Sequence, residues 1–367
     1  MKENKKILIH GAVDSSNFGD VLFVHIFYEN LKTIDNLEVN FLGEGKYSIS
    51  EFNRKELNYK KKITWNEAIK HDVLIYMSGG YFGDDDKSFK KSIKRYVRYF
   101  RLGLKFANRN KPIFIIGVGG APLYGKICSY AVKKIIKKSN YISVRDKYTM
   151  DFFSQYIKLE KINLTADTAL SIRKKDIPDL NNDIKKQINT KLEDKKIILM
   201  HLPGTRTGDE EVLKKIIPSL NRFLNNNKDF GVIVCNDFLN IEDISKNICY
   251  NEIETQYKYA YNYYSAYQLC SLINYSDYII TAKLHVGIIG SSFGKSVLSI
   301  PLHSSKTTRF YEQIGESDRC VHMNDITPEM LDIMFEKYKN KRIKISKEII
   351  KQAKENVEIL KTIDEYL

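Results

Sequence analysis

The sequence predicts an α/β chain built from two doubly wound, Rossmann-like domains. Three observations carry this reading. Short apolar runs alternate with segments of helical period from one end of the chain to the other, the pattern of parallel βαβ units. That pattern breaks once, across a polar stretch at 173–196 that holds Pro178 and an Asn-Asn-Asp run, and then restarts. The 367 residues are enough for two cores of ordinary size.

In the first half, residues 7–10, 73–77, 113–117 and 141–144 read as buried strands. Residues 21–31, 88–108, 124–138 and 147–156 read as helices. Within 88–108, Phe89, Ile93, Val97, Phe100 and Leu104 recur at spacings of three and four, which predicts one buried stripe. After the break, 197–202, 231–235, 278–281 and 296–300 are strands, 209–225 and 265–274 are helices, and a Lys-rich helical tail closes the chain. The expected boundaries are a first domain at 1–175, a linker at 176–195, a second domain at 196–325 and the tail at 326–367. Two open α/β domains facing a cleft form a glycosyltransferase-B-like architecture.

Composition narrows the function classes. Hydrophobic content of 43% and charged content of 28% are those of a soluble globular protein. No run of about 18 apolar residues is present, and no long apolar segment follows the first basic residues, so neither a membrane span nor a secretory signal is expected. The five cysteines (Cys128, Cys235, Cys249, Cys270, Cys320) are scattered without CxxC spacing, which fits small core residues in a reducing, cytoplasmic setting. The net charge of +14 suits a polyanion, an anionic membrane surface or an acidic substrate, and also the Lys/Asn bias of an AT-rich genome. No zinc-finger spacing, basic zipper or RNP-type motif accompanies it, so no nucleic-acid partner is expected. The densest basic segment, 87–111, spreads Lys91, Lys94, Arg95, Arg98, Arg101, Lys105 and Arg109 around its helix. A solvated face accounts for them; the functional reading is peripheral docking on an anionic membrane.

In open parallel sheets, ligands bind beyond the carboxyl ends of the strands, where loops meet helix N-termini. The unusual residues of this chain fall in that register. Ser16-Asn17-Phe18-Gly19-Asp20 follows the first strand, although an N-cap alone accounts for Asp20. Ser78-Gly79-Gly80-Tyr81-Phe82-Gly83-Asp84 follows the second, with glycines that admit a ligand or simply a tight turn. Gly117-Val118-Gly119-Gly120 lacks the spacing and early position of a dinucleotide fingerprint, which rejects NAD or FAD. Asp84-Asp85-Asp86 reads as a solvated loop or a metal-chelating DxD element. Arg145 follows the strand at 141–144, where neighbouring acids offer it a salt bridge. Lys283-Leu284-His285 follows the strand at 278–281 and opens an apolar helix, a position suited to holding phosphate and delivering a proton. His303-Ser304-Ser305-Lys306 adds a further cationic loop.

Taken together, these elements resemble the polysaccharide pyruvyltransferase family, over nearly the whole chain to about Gly315. The resemblance rests on Asn17-Phe18-Gly19-Asp20, on Gly79-Gly80-Tyr81-Phe82, on Ser143-Val144-Arg145-Asp146 with Thr165-Ala166-Asp167, and on Lys283-Leu284-His285 followed by Pro301, Lys306, Phe310 and Gly315. The family usually has arginine where Lys283 stands and commonly tyrosine at His303. Lysine neutralises phosphate as a point charge but lacks the bidentate fork.

The resemblance implies transfer of a pyruvyl group from phosphoenolpyruvate (PEP) to a hydroxyl pair of a cell-surface glycan, of the capsule, exopolysaccharide or cell-wall kind, or of its lipid-linked precursor. Arg145 from the first domain and Lys283, Leu284 and Lys306 from the second would hold PEP, with Arg206 and Arg309 in reserve. His285 would be the general acid, and Asp20 or Asp84 the base. Asn17, Gly79, Gly80 and Asp84 would meet the acceptor on the first domain. No metal and no organic cofactor is expected. Two other readings stay open: a nucleotide-sugar glycosyltransferase of the same architecture, using Glu242, Glu252 or Glu254 on the ribose, and a non-catalytic glycan-binding component of a polysaccharide assembly complex.

Overall fold

A computed structural model describes residues 4–83, 88–120, 122–201, 209–237, 239, 244–301 and 304–363. The chain divides into two compact units. The first comprises Met1–Ser16, Asp20–Ser171 and Lys347–Leu367, and the second Asn17–Gly19 and Ile172–Ser346.

The first unit holds a parallel seven-stranded sheet. Its strands are β1 (Lys5–His10), β2 (Leu37–Phe41), β3 (Val73–Tyr76), β4 (Gly79–Phe82), β5 (Ile113–Gly120), β6 (Tyr141–Val144) and β7 (Asn163–Leu164). The order is β2-β1-β3-β5-β6-β7, with β4 paired to β5. Runs such as Ile7-Leu8-Ile9 and Ile113-Phe114-Ile115-Ile116 are fully buried, as strands covered on both faces must be. The order reverses at the β1/β3 pair, where His10 lies beside Tyr76.

Two glycine-rich stretches expected as loops are strand instead. Gly79–Phe82 forms β4, and Gly117–Gly120 extends β5. The reason is local. Gly117 takes a left-handed φ of 61°, the ladder shifts register between Ile115 and Val118, and β5 gains a second parallel neighbour in β4. A side chain at Gly117 would strike Thr168, Ser78 and Asn356, so the glycine also makes room for a buried polar network. In that network Ser143 accepts the Gly117 amide at 2.8 Å and donates to Asn356 Oδ1 at 2.7 Å. Asn356 in turn donates to the Ala166 carbonyl and to Thr168, both at 3.0 Å. Asn356 is completely buried on the helix Lys347–Lys361, so this late segment closes the first unit.

The helix expected at 88–108 is interrupted. One π-helical turn, Tyr96–Phe100, separates the helices Phe89–Arg95 and Arg101–Asn108. A π turn adds one residue to the ladder, which rotates everything upstream by about 100°. The single buried stripe therefore fails at its start. Phe100 is buried, together with Leu102 and Phe106, but Phe89 is 70% exposed and Ile93 38%.

The second unit holds a five-stranded parallel sheet, β8 (Lys196–His201), β9 (Phe230–Cys235), β10 (Lys258–Ala260), β11 (Tyr278–Thr281) and β12 (Ser296–Ser299). Its order, β10-β9-β8-β11-β12, is the doubly wound pattern with its reversal between β8 and β11. Its core gathers Ile198, Met200, Ile217, Val232, Ile280 and Phe335.

Domain boundaries differ from expectation at two places. The stretch 176–195 is not a bare linker: Asn181 accepts the amides of Asp183 and Ile184 and caps the helix Asn182–Leu192, which buries Ile188 and Leu192. The tail 326–367 divides, because two apolar stripes have different destinations. The helix Pro328–Tyr338 buries Leu331, Met334 and Phe335 in the second core, while Lys347–Lys361 belongs to the first unit. Of the cysteines, Cys128, Cys235, Cys249 and Cys270 are buried and Cys320 is half-buried, and none of the five is in a disulfide.

Candidate active site

The carboxyl edge of the second sheet gathers most of the unusual chemistry. His201 ends β8, and it stands beside Cys235 of β9 on one side and Thr281 of β11 on the other. Two residues past each of those neighbours come Asp237 and Lys283. Parallel register therefore delivers an imidazole, a carboxylate and an ammonium to one sheet edge, at the point where the strand order reverses.

Thr281 sets the turn that follows β11. Its Oγ1 accepts the Lys283 amide at 3.0 Å, leaving Lys283 extended at the N-cap position of the helix Leu284–Ser292. His285 is thus in the first turn, where unpaired amides and the helix dipole favour an anion. The Lys283 ammonium lies 3.2 Å from Asp237 Oδ1. Asp237 is only 4% exposed, and its Oδ2 accepts the Phe18 amide at 3.3 Å. Burial alone would raise this carboxyl; the charges of Lys283 and His201 and the Phe18 amide outweigh it and hold the group below its ordinary range.

Residues 17–19 pack within this second unit. Asn17 Oδ1 accepts the Gly19 amide at 3.2 Å, and Phe18 is 1% exposed. Gly19 lies flat against His285: a Cβ at 19 would sit 1.8 Å from the imidazole Nδ1. Gly19, in the first turn of the helix Phe18–Leu31, is required here by close approach, not by φ.

His201 and Asp237 were invisible as site residues in the sequence. Burial lowers the His201 pKa to about 4, with the Asp237 charge opposing and Lys283 assisting that shift. Neither ring nitrogen of His201 has a hydrogen-bond partner among the described residues. The signal that would have found both is the rule that singled out Lys283: polar groups at or just past the end of an apolar strand.

The remaining candidates fall elsewhere. Arg145 belongs to the first unit, where it is buried and pairs with Asp167 at 2.9 Å, with Asp146 at 3.8 Å. Gly119 is packed against its guanidinium. The Ser-Val-Arg-Asp and Thr-Ala-Asp elements thus build the interior of the first sheet's carboxyl edge, Thr165 adding a bond to the Val144 carbonyl. Arg145 is committed to Asp167 and is not an open anion clamp. Asp20 is also in the first unit, near enough for its charge to act on Tyr81, Arg98 and Tyr99. Gly79 and Gly80 lie in β4, with Gly79 against the Tyr81 ring. Lys306 and Arg309 lie in the second unit on the helix Ser304–Gln313, which follows β12; Arg309 Nε donates to the Ser305 carbonyl at 2.9 Å. Asp84, Arg206, Glu242 and His303 lie outside the described residues. Glu252 and Glu254 precede β10 and so stand at the amino edge of the sheet, opposite the edge where a ribose would bind.

The buried histidines make a stability test. His10, at the end of β1, is also lowered to about 4, chiefly by burial. A histidine neutral when folded and ordinary when unfolded contributes its full stability above about pH 6.5, and loses it as pH falls toward 4. Each of the two is expected to cost about 2 kcal/mol at pH 5 relative to pH 7. Urea unfolding at the two pH values checks this. His201→Asn should flatten the pH dependence of the second unit, and an unchanged slope would refute the assignment.

Comparison with known proteins gives a family and a fold. The sequence matches the polysaccharide pyruvyl transferase family over residues 17–304. No curated protein matches significantly. Among solved structures, the chain is similar to UDP-GlcNAc 2-epimerase from Methanocaldococcus jannaschii, with a TM-score of 0.64 and 12% identity over 97% of this chain and 99% of that one. It is also similar to the Neisseria meningitidis enzyme bound to UDP-GlcNAc (TM-score 0.60, 15% identity, 97% and 99% covered). The S. aureus MnaA-UDP structure gives a TM-score of 0.59 at 14% identity, with 99% and 96% covered. At such identities the likeness establishes the fold alone: the two-domain, glycosyltransferase-B-like α/β class.

Proposed function

The chain belongs to the polysaccharide pyruvyl transferase family, and from that premise we propose that it transfers a pyruvyl group from PEP to a hydroxyl pair of a cell-surface glycan or its lipid-linked precursor, on the cytoplasmic side. The observation that supports this reading is the placement of His285 two residues after the Lys283 ammonium, in the first turn of a helix whose amides favour an anion.

In this mechanism Lys283, the amides at the start of the Leu284–Ser292 helix and Lys306 hold the donor's phosphate and carboxylate. His285 protonates the enol methylene carbon, which leaves an oxocarbenium-like centre at C2. One acceptor hydroxyl adds to C2, the C2–O bond to phosphate breaks, and the second hydroxyl closes the ketal. Of the two protons the hydroxyls lose, one restores the imidazolium and the other leaves with phosphate. Asn17, in the same unit as His285, is the candidate to meet the sugar. Asp237 orients the Lys283 ammonium and holds the Phe18 amide at the start of the helix Phe18–Leu31, so it is a positioning residue. Arg145, bound to Asp167, is left out of the donor set.

Incubating the chain with PEP and a candidate glycan, and following inorganic phosphate together with the mass of the acceptor, tests the proposal. Acceptor-dependent phosphate release with a pyruvylated product is expected. Turnover of a UDP-sugar with none of PEP would replace it by glycosyl transfer, and glycan binding with no turnover of any donor would replace it by a binding role.

A further inference from the structure

The basic charge of the chain is concentrated to an unusual degree. Residues 87–145 hold sixteen lysines and arginines and no aspartate or glutamate, more than the whole chain's net charge of +14. Two helices of the first unit present much of this charge. Phe89–Arg95 buries only Ser92 and exposes Lys90, Lys91 and Lys94. Lys126–Lys138 buries Cys128, Ala131, Val132, Ile135 and Ile136, and exposes Lys126, Lys133, Lys137 and Lys138. The two helices pack together at Ser92 and Cys128, whose thiol donates to the Ser92 carbonyl at 3.1 Å.

On the outer sides of the same pair stand large apolar groups that a solvated basic surface does not need. Phe89 is 70% exposed, Tyr130 60% and Tyr124 52%, with Ile127 and Ile93 also exposed. Phe89 and Ile93 are one helical turn apart, as are Ile127 and Tyr130, so each helix carries an apolar row flanked by lysines. Of these, Phe89 and Ile93 are the residues the π turn at Tyr96–Phe100 rotates out of the core.

We propose that the paired helices Phe89–Arg95 and Lys126–Lys138 form a docking face for an anionic lipid surface, with aromatic side chains entering the headgroup region and lysines neutralising its charge. Rings at that depth and ammonium groups at the surface are the division of labour of interfacial helices. No helix of the described residues is long and apolar enough to cross a membrane, so the contact is peripheral. The inference deepens the reading of a lipid-linked acceptor, since docking would bring the enzyme to that acceptor, but lipid binding itself is independent of turnover.

Flotation of the full chain with vesicles tests it. Binding is expected to vesicles containing about one-third phosphatidylglycerol and not to phosphatidylcholine alone. The triple substitution Lys90→Glu, Lys91→Glu, Lys94→Glu should weaken binding about 100-fold, and Phe89→Ser with Tyr130→Ser about 10-fold, with melting temperatures unchanged. Wild-type chain that stays with the soluble fraction, or aromatic variants that float as well as wild type, would overturn the proposal. So would a self-association of wild type that Phe89→Ser abolishes, which would make the face a contact between copies, or preferential binding to duplex DNA unaffected by the aromatic changes. Phosphate release with a water-soluble acceptor should be the same in every variant, so a failed flotation leaves the transferase reading standing and a failed assay leaves the docking face standing.

Discussion

Replacing His285 by alanine should lower pyruvyl transfer about 10²- to 10⁴-fold while the fold survives, the range typical for removal of a general acid. The imidazole is half-buried in the first turn of its helix, and neither the Asp237–Lys283 pair nor the Thr281 turn depends on it. Donor binding should therefore persist, seen as a nearly unchanged KM beside a collapsed kcat. A variant that kept a tenth or more of wild-type kcat would remove His285 from the acid role. Gly19→Ala gives an independent arm of the same test. Its methyl would displace the imidazole without deleting it, because the space 1.8 Å from Nδ1 is already filled. The loss of rate in that variant should come with a shifted pH profile.

Asp237→Ala should destabilise the second unit by about 3–5 kcal/mol, the usual cost of stranding one partner of a buried charge pair. Two groups lose something at once: Lys283 loses its ion pair and the Phe18 amide its acceptor. Asp237→Asn keeps an acceptor for Phe18 and should fall between wild type and alanine. The single tryptophan, Trp65, lies in the first unit and reports unfolding there, so the second unit is better followed by amide exchange in β8, β9 and β11. If protection in those strands were unchanged, the ion pair would be a surface accident and the positioning role would fall with it.

How legible these features were in the sequence depended on what each signal rests on. Central strands such as 73–76 and 278–281 were plain because burial on both faces leaves an uninterrupted apolar run. The edge strand Leu37–Phe41, with Glu38 and Asn40 in it, and the polar helix Asn182–Leu192 carry no such run and were missed. Glycine misled in the opposite sense: at 79–80 and 117–120 it signalled turns, yet the chain stays extended because a neighbouring strand and a polar network hold it there. Periodicity assigns Phe89 and Ile93 to the core because it assumes an unbroken helix, and a π turn leaves no mark in a hydrophobic pattern.

The site was half visible for a similar reason. Lys283 and His285 announce themselves by following a strand and opening a helix. Asp237 and His201 acquire meaning only through strand order, which puts β8 between β9 and β11. Arg145 looked equivalent to Lys283 by position, and the difference is its neighbour: Asp167 returns through a short strand to take its charge.

The polar network around Asn356 bears on the order in which the protein is built. A ribosome releases 172–346 as one continuous stretch, so the second sheet and its helices can assemble as soon as they emerge. The first sheet, although made earlier, must wait for residues 347–361 before Ser143, Thr168 and the Ala166 carbonyl meet their amide partner. The half of the molecule synthesised first is therefore finished last.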